Sequence, residues 1–435
     1  MKGWKWIVVA FIMTLPGVIG QFVALKYLEK EQPLLGSLLW GLAVIGAAFL
    51  LSWGVEAAQE DVPKALAFSA LALLAVLPEY SIDFALTYRA GTEEAYQEYA
   101  LANLIGANRM IVGFAWPLVI LIFLFKFRKP QVNLAKGQRV EIGFLLFAGL
   151  YSLILPIKGY IDLLDVIVFV GCFVLYTIRI AKSDVHEPEL VGPAATLGEL
   201  PKNKRRIIVA LILLFSGFVI FLCSHPFAES LIQTGLSIGV DEVLLLQWFA
   251  PLASEAPEIV VCVLFTWRGL AGDGLGALVA SKVNQWTLLV GTLPLVFSLG
   301  AKELKALPLH DTIIDTTGKT IEYDLIGPML VTSAQTILAS MIILNLRVSL
   351  KGALILLGLF VGQFLVPKYI AGVDSHYPIA AIYFGLAIYI AIREYRQFVP
   401  TLVSLVSVKF VRKEEAEELR LHGKEEPSLR PAIKH

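Results

Sequence analysis

The chain has 435 residues, of which 57% are hydrophobic and only 17% charged, and its mean hydropathy is +0.73. A soluble domain cannot hide that much apolar surface. The 36 basic and 36 acidic residues leave no net charge to attract a nucleic acid or an acidic partner, and Cys172, Cys223 and Cys262 lie in apolar segments without CxxC spacing, which speaks against disulfides and thiolate metal sites.

Apolar stretches of about twenty residues recur throughout, each long enough to cross a roughly 30 Å hydrocarbon core as a helix. The opening "MKGWKWIVVAFIMTLPGVIGQFVAL" has lysines ahead of an apolar run, as a signal peptide does. The run is long and no small-residue cleavage site follows, so it reads as a retained first span. Spans are expected at about 6–27, 34–58, 64–88, 99–125, 141–157, 160–181, 206–230, 242–267, 274–299, 324–346, 350–370 and 376–393. This is the pattern of an all-α polytopic membrane protein with about twelve transmembrane helices. With the N-terminus cytoplasmic, the inside loops include "KFRKPQVNLAKGQR" (126–139) and 182–206, the most basic in the chain, while the acidic "RAGTEEAYQEY" (89–99) lies outside. The outer segment 301–324 is expected to turn a small hairpin at Thr317-Gly318.

Two stretches match each other. "LPEYSIDFALTYRAG" (77–91) and "APEIVVCVLFTWRGL" (256–270) both carry Pro-Glu within an apolar segment and leave it through Thr-aromatic-Arg at identical spacing: Thr87-Tyr88-Arg89 and Thr266-Trp267-Arg268. In the expected topology the two spans run in opposite directions, which makes two inverted five-helix repeats, an arrangement of secondary transporters. The division is then an extra N-terminal helix at 1–33, a first repeat at 34–181, a cytoplasmic linker at 182–205 and a second repeat at 206–371. An extra helix and interfacial segment at 372–412 and a charged cytoplasmic tail at 413–435 complete it.

A carboxylate at the bilayer centre costs at least about 2.5–3.5 kcal/mol, so it needs a partner or a function. On helical spacing Ala75, Glu79, Asp83 and Thr87 form one stripe, and Gln247, Pro251, Ser254, Glu255, Glu258 and Cys262 form another. Pro78 and Pro257 cannot donate to the carbonyls of Leu74 and Ala253, which frees those oxygens. After each Pro-Glu span comes one rich in small and amide residues, "LANLIGANRMIVGFAWP" (101–117) and "GALVASKVNQWTLLVGTLP" (276–294). Carboxylates with hydroxyl and amide oxygens suit hard ions such as Ca²⁺ and Na⁺. Lys282 would neutralise one acid and act as a tethered cation. Asp83 and Glu255 read either as ligands or as structural acids paired with Lys282 or Arg109, and Asn284 and Gln285 either as ligands or as interhelical bridges. Asp162 and Asp165, at a span entrance, read as helix caps.

These motifs resemble those of the calcium/cation antiporter superfamily, whose members include the sodium/calcium exchangers. That family carries "GTSxPE" on one helix and "GNxxGSN" on the next. "ANLIGAN" (102–108) matches the second at Asn103, Gly106 and Asn108, "ASEAPE" (253–258) matches the first at Pro257 and Glu258 with Ser254 for threonine, and "ASK" (280–282) best matches "GSN". The resemblance implies that Glu79 and Glu258 bind the metal ion and that Asn103 and Asn108 supply oxygens. Asp83, Ser254, Glu255, Lys282 and Gln285 complete the candidate ion-binding set. The chain departs from the family at Leu74-Ala75-Val76, which lacks every hydroxyl of the first "GTS", and at Glu255 and Lys282.

The expectation is a plasma-membrane antiporter, without a cofactor or nucleic-acid partner, that works by alternating access. It exchanges Ca²⁺ or Na⁺ for Na⁺ or H⁺, and the choice of ions and the oligomeric state are left open. The alternative is a proton-coupled Na⁺/H⁺ exchanger in which Lys282 replaces a bound cation. A cation channel is the nearer rival. An intramembrane protease built on Asp273 of "GLAGDG" and on Tyr323-Asp324 is disfavoured, because position 270 is leucine and the chain order is reversed.

Overall fold

The computed structural model describes residues 2–24, 27–182, 190, 192–237, 255–314, 320–366, 369–370, 373–407, 409 and 413. Helices dominate: α1 (Lys2–Val23), α2 (Pro33–Ala58), α3 (Lys64–Thr92), α4 (Gln97–Met110), α5 (Trp116–Phe127), α6 (Arg139–Tyr151), α7 (Ile154–Lys158) and α8 (Leu163–Ile180). After a short α9 (Pro193–Gly198) come α10 (Lys202–Ser237), α11 (Ala256–Trp267), α12 (Ala271–Asn284), α13 (Val290–Ala301), α14 (Ile326–Ile343), α15 (Leu350–Leu365), α16 (His376–Arg393) and α17 (Phe398–Val406). Every expected span contains a described helix, and nine helical stretches among the described residues are long and apolar enough to cross a membrane. Large apolar side chains such as Ile167, Leu175, Leu214 and Ile392 face outward, as a lipid-facing surface requires.

Several boundaries differ from expectation for local reasons. α10 extends beyond 206–230 because Lys202, Lys204, Arg205 and Arg206 are good helix formers that carry it past the apolar run. The span expected at 160–181 starts helically only at Leu163. There Asp162 accepts from the Leu164 and Asp165 backbone N–H groups at 2.9 and 3.2 Å, and the Asp165 carboxylate accepts in return from the Asp162 N–H, so both acids are caps. α11 begins at Ala256, which puts Pro257 in its first turn rather than in a described helix interior. A proline there removes no helical hydrogen bond; Pro78, in contrast, lies inside continuous α3. Thr317-Gly318 fall outside the described residues, although the strands that flank them, β4 (His310–Ile314) and β5 (Thr320–Asp324), pair antiparallel.

Two halves of the chain share local geometry. A π-helical turn, Ile111–Ala115, joins α4 to α5, and another, Gln285–Leu289, joins α12 to α13. Both composite helices run 14, 5 and 12 residues and end on a left-handed residue, Arg128 or Lys302, each at φ 57°. Strand β1 (Gln131–Asn133), which follows α5, pairs with β6 (Arg347–Ser349), between α14 and α15. Strand β3 (Leu307–Pro308), which follows α13, pairs with β2 (Tyr160–Ile161), between α7 and α8. Each half thus lends a strand to the equivalent position of the other.

Helix crossings rely on glycine. A Cβ on Gly300 of α13 would lie 2.1 Å from the Tyr88 carbonyl oxygen on α3, and one on Gly91 would lie 2.3 Å from that of Phe297. Gly300→Val is therefore expected to destabilise the fold by about 1–3 kcal/mol through overpacking, read as a lower melting temperature in detergent.

A second, smaller apolar core adjoins the main one through Ala58, Leu213 and Phe215: Ile7, Ala10, Leu50, Trp53, Ala57, Ala194, Leu197 and Val209, on α1, α2, α9 and α10. Beside it Asp61, after α2, accepts from Arg205 at 2.8 Å and from Arg206 at 2.9 Å. The Arg205 guanidinium holds the Asp61 carboxyl below the usual carboxylate range. A depressed carboxyl stabilises the fold above its unfolded pKa of about 3.9 and loses that contribution as pH falls through its folded value. The melting-temperature gap between wild type and Asp61→Asn is expected to stay constant from neutral pH to about 5 and to shrink below about 4.

Candidate ion-binding site

The site is assembled from four helices. α3 presents Glu79, with Asp83 and Thr87 one and two turns further along the same face. The first turn of α11 brings Glu255, at its N-cap, and Glu258; the positive end of a helix dipole favours carboxylates there. α12 and the π-turn after it contribute Ser281, Lys282 and Gln285, and α4 contributes Asn103 and Asn108.

Glu79, Glu255 and Glu258 meet, each 2% or less exposed. They offer oxygens that all lie within 4.8 Å of one another. Gln285 bridges two of them, its Nε2 donating to Glu79 and, at 3.1 Å, to Glu255 Oε1. No described protein group hydrogen-bonds Glu79 Oε1, Glu255 Oε2 or either oxygen of Glu258. Buried carboxylates this close cannot all stay charged unless cations or protons neutralise them. An oxygen-only cluster of this kind suits a hard cation.

The other candidates are distributed around this centre. Asp83, fully buried, accepts from Asn103 Nδ2 at 2.8 Å. Asn108 donates to the Leu104 carbonyl at 2.9 Å, and its Oδ1 and backbone carbonyl accept from Lys282 Nζ at 2.7 and 3.1 Å. That ammonium also sits 4.4 Å from the Trp286 ring centroid, a cation–π contact. Asn108 and Lys282 occupy the same place in their two 14-residue helices. Lys282 is near enough to Glu79 and Glu255 to interact electrostatically, but its hydrogen bonds go to the amide.

Asp83 and Glu255 are hydrogen-bonded to amides, Asn103 and Gln285, and neither is bonded to Lys282 or Arg109. Ser254 lies outside the described residues, as do Gln247, Pro251 and Ala253. Ser281 and Arg109 are buried polar groups beyond the expected set. The Arg109 guanidinium donates to the Thr332 hydroxyl at 3.0 Å and the Pro328 carbonyl at 2.9 Å, which docks α4 onto α14. Asp273 begins α12 whereas Tyr323-Asp324 belong to the β4–β5 hairpin, and the Tyr323 hydroxyl donates to Gln97 and to the Pro308 carbonyl.

The family model described as sodium/calcium exchanger protein matches residues 33–181 and 208–367. A solved structure, the H⁺/Ca²⁺ exchanger CAX, is 38% identical over 94% of this chain and 98% of its own, with a TM-score of 0.77. The sodium-calcium exchanger NCX_Mj shares the fold at 16% identity, with a TM-score of 0.59, over 80% of this chain and 100% of its own. No curated protein sequence matches significantly. The matched residues take in Glu79, Asn103, Asn108, Glu255, Glu258, Lys282 and Gln285. The chain belongs to the sodium/calcium exchanger family, and is a multi-pass membrane transporter of inorganic cations rather than an enzyme.

Proposed function

We propose that the protein exchanges Ca²⁺ for H⁺ across the plasma membrane, with Glu79, Glu255 and Glu258 binding the metal ion and the protons in turn. The observation that carries this reading is the convergence of these three carboxylates, with four oxygens that no described protein group hydrogen-bonds. Three acids in one buried site favour a divalent ion over a monovalent one, and protons satisfy the same oxygens when the metal leaves. The 38% identity to a structure titled an H⁺/Ca²⁺ exchanger supports the choice of ions. Asn103 and Asp83 would line the approach, and Gln285 would hold Glu79 and Glu255 in register.

Two inverted repeats, 34–181 and 206–371, account for the matched 14-5-12 helices and for the reciprocal strand pairing. Alternating access follows if α2 and α10, which share a small core of their own with α1 and α9, slide against the helices that carry the site. Both termini are cytoplasmic in this topology. Lys126, Arg205, Arg206 and Arg268 then lie at the inner end, and Glu93, Glu94 and Glu98 at the outer one.

A second reading, Na⁺/H⁺ exchange, draws on Lys282. Its ammonium already holds the Asn108 oxygens and stands in for one bound cation. Calorimetric titration of purified protein separates the two. Ca²⁺ binding that weakens as pH falls, and is insensitive to Na⁺, supports H⁺/Ca²⁺ exchange; absence of Ca²⁺ binding with retained Na⁺ binding would favour the second reading.

A further inference from the structure

The Thr-aromatic-Arg sequences that close both Pro-Glu helices have no place in the ion site, yet the structure uses them unequally. At the end of α11, Arg268 grips Glu56 of α2 with both terminal nitrogens, Nη1 on Oε1 and Nη2 on Oε2 at 3.0 Å. Glu56 is 5% exposed and also accepts from the Ser52 hydroxyl at 3.4 Å. Arg268 itself is a quarter exposed, and a bidentate guanidinium–carboxylate pair with one partner buried is among the stronger polar contacts available to a protein. Beside it the Trp267 carbonyl accepts from Lys126 Nζ at 2.5 Å, and that ammonium lies 4.3 Å from the Trp267 ring centroid. The exit of α11 is thereby fastened both to α5 and to α2.

α2 and α5 both contribute to the main core that holds α11, but only α2 also reaches into the smaller one. α2 shares the small apolar core with α1, α9 and α10, and its end is clamped to the start of α10 by Asp61 with Arg205 and Arg206. α11 carries Glu258 at its other end, ten residues or about 15 Å along the axis. α2 also packs in the main core through Trp40, Val44 and Leu51, and the Glu56–Arg268 pair adds an ionic tie between this helix and the one that holds the ion ligands. Arg89 stands at the equivalent place after Glu79, and among the described residues its guanidinium meets Tyr96: the hydroxyl at 3.3 Å and the ring at 5.3 Å. One end of the assembly has an ionic tie, and among the described residues the other has none at its equivalent arginine.

We infer that Glu56 and Arg268 are positioning residues that tie the α2–α10 unit to the site helices at one end, the cytoplasmic one in the proposed topology, and so set how readily the site opens there. This rests on the alternating-access reading above. In this proposal the tie is made when that end is closed and released when it opens, so breaking it shifts the population toward opening there.

The test uses the full chain in proteoliposomes, with the three native cysteines replaced and one cysteine introduced at Ala280, next to the site but not a ligand. Labelling by a membrane-impermeant thiol reagent is timed from each side. Glu56→Gln and Arg268→Gln are each expected to raise the inner-to-outer ratio of labelling rates about tenfold. The exchanged pair, Glu56→Arg with Arg268→Glu, is expected to bring the ratio back toward wild type. Arg89→Gln is expected to leave it unchanged. A ratio unaltered in correctly folded Glu56→Gln, or an equal shift in Arg89→Gln, overturns the inference. Failure of the antiport reading registers separately, as unmodified protein whose labelling is indifferent to Ca²⁺ on either side.

Discussion

Glu258→Gln is expected to lower the apparent Ca²⁺ affinity by about 100-fold and to bring exchange at low Ca²⁺ to background. Glutamine keeps the shape of the side chain but removes a full charge from a group 2% exposed, with two oxygens that no described protein group hydrogen-bonds. Unit charges about 4 Å apart attract by roughly 4 kcal/mol at an effective dielectric constant of about 20, and a divalent ion doubles this. Even after much of that attraction is offset by desolvation, a net loss of about 3 kcal/mol is two orders of magnitude in affinity. Glu79→Gln is expected to match it, since Glu79 shares the same cluster. Glu255→Gln has a further consequence, because one of the two carboxylate acceptors of Gln285 becomes a neutral, weaker amide oxygen. Concentration dependence of Ca²⁺ uptake in the three variants checks the set.

Lys282→Ala is expected to change ion selectivity rather than simply to weaken transport. The substitution removes a buried ammonium and leaves the Asn108 carbonyl and Oδ1 without their donor. The freed Asn108 Oδ1, with the nearby acids, forms a place for a monovalent cation. Na⁺, inert toward wild type in the H⁺/Ca²⁺ reading, is expected to compete with Ca²⁺ in the variant with at least a tenfold gain in apparent Na⁺ affinity. Lys282→Arg keeps the charge and is expected to gain no Na⁺ sensitivity. Selectivity, stoichiometry and pH dependence all unchanged in Lys282→Ala would show that Lys282 is not a stand-in for a bound cation.

Much of the architecture is legible in the sequence, because bilayer thickness dictates helix length and each apolar run therefore announces a span. The acids were legible for the opposite reason: Glu79, Glu255 and Glu258 stand where charge is costly. The duplicated Pro-Glu and Thr-aromatic-Arg spacing linked two distant helices directly. Contacts that depend on rotation about helix axes were not legible. Gln285, left open between ligand and bridge, joins Glu79 to Glu255, whereas Asn103 serves Asp83 and Asn108 serves Lys282. The π-turns at 111–115 and 285–289 carry no composition of their own and alter which face follows them. Strands of two or three residues such as Tyr160–Ile161 are too short for any alternation to appear. The Glu56–Arg268 pair joins residues 212 positions apart, which no local pattern reports.

The central claim is that one buried carboxylate cluster binds the transported ion and its counter-ion in turn. Its most direct test is Ca²⁺ and Na⁺ uptake into proteoliposomes under imposed H⁺ or Na⁺ gradients, with wild type and Glu258→Gln in parallel. The expected result is Ca²⁺ accumulation driven by an outwardly directed H⁺ gradient in wild type and its loss in the variant; normal transport by Glu258→Gln would contradict the account.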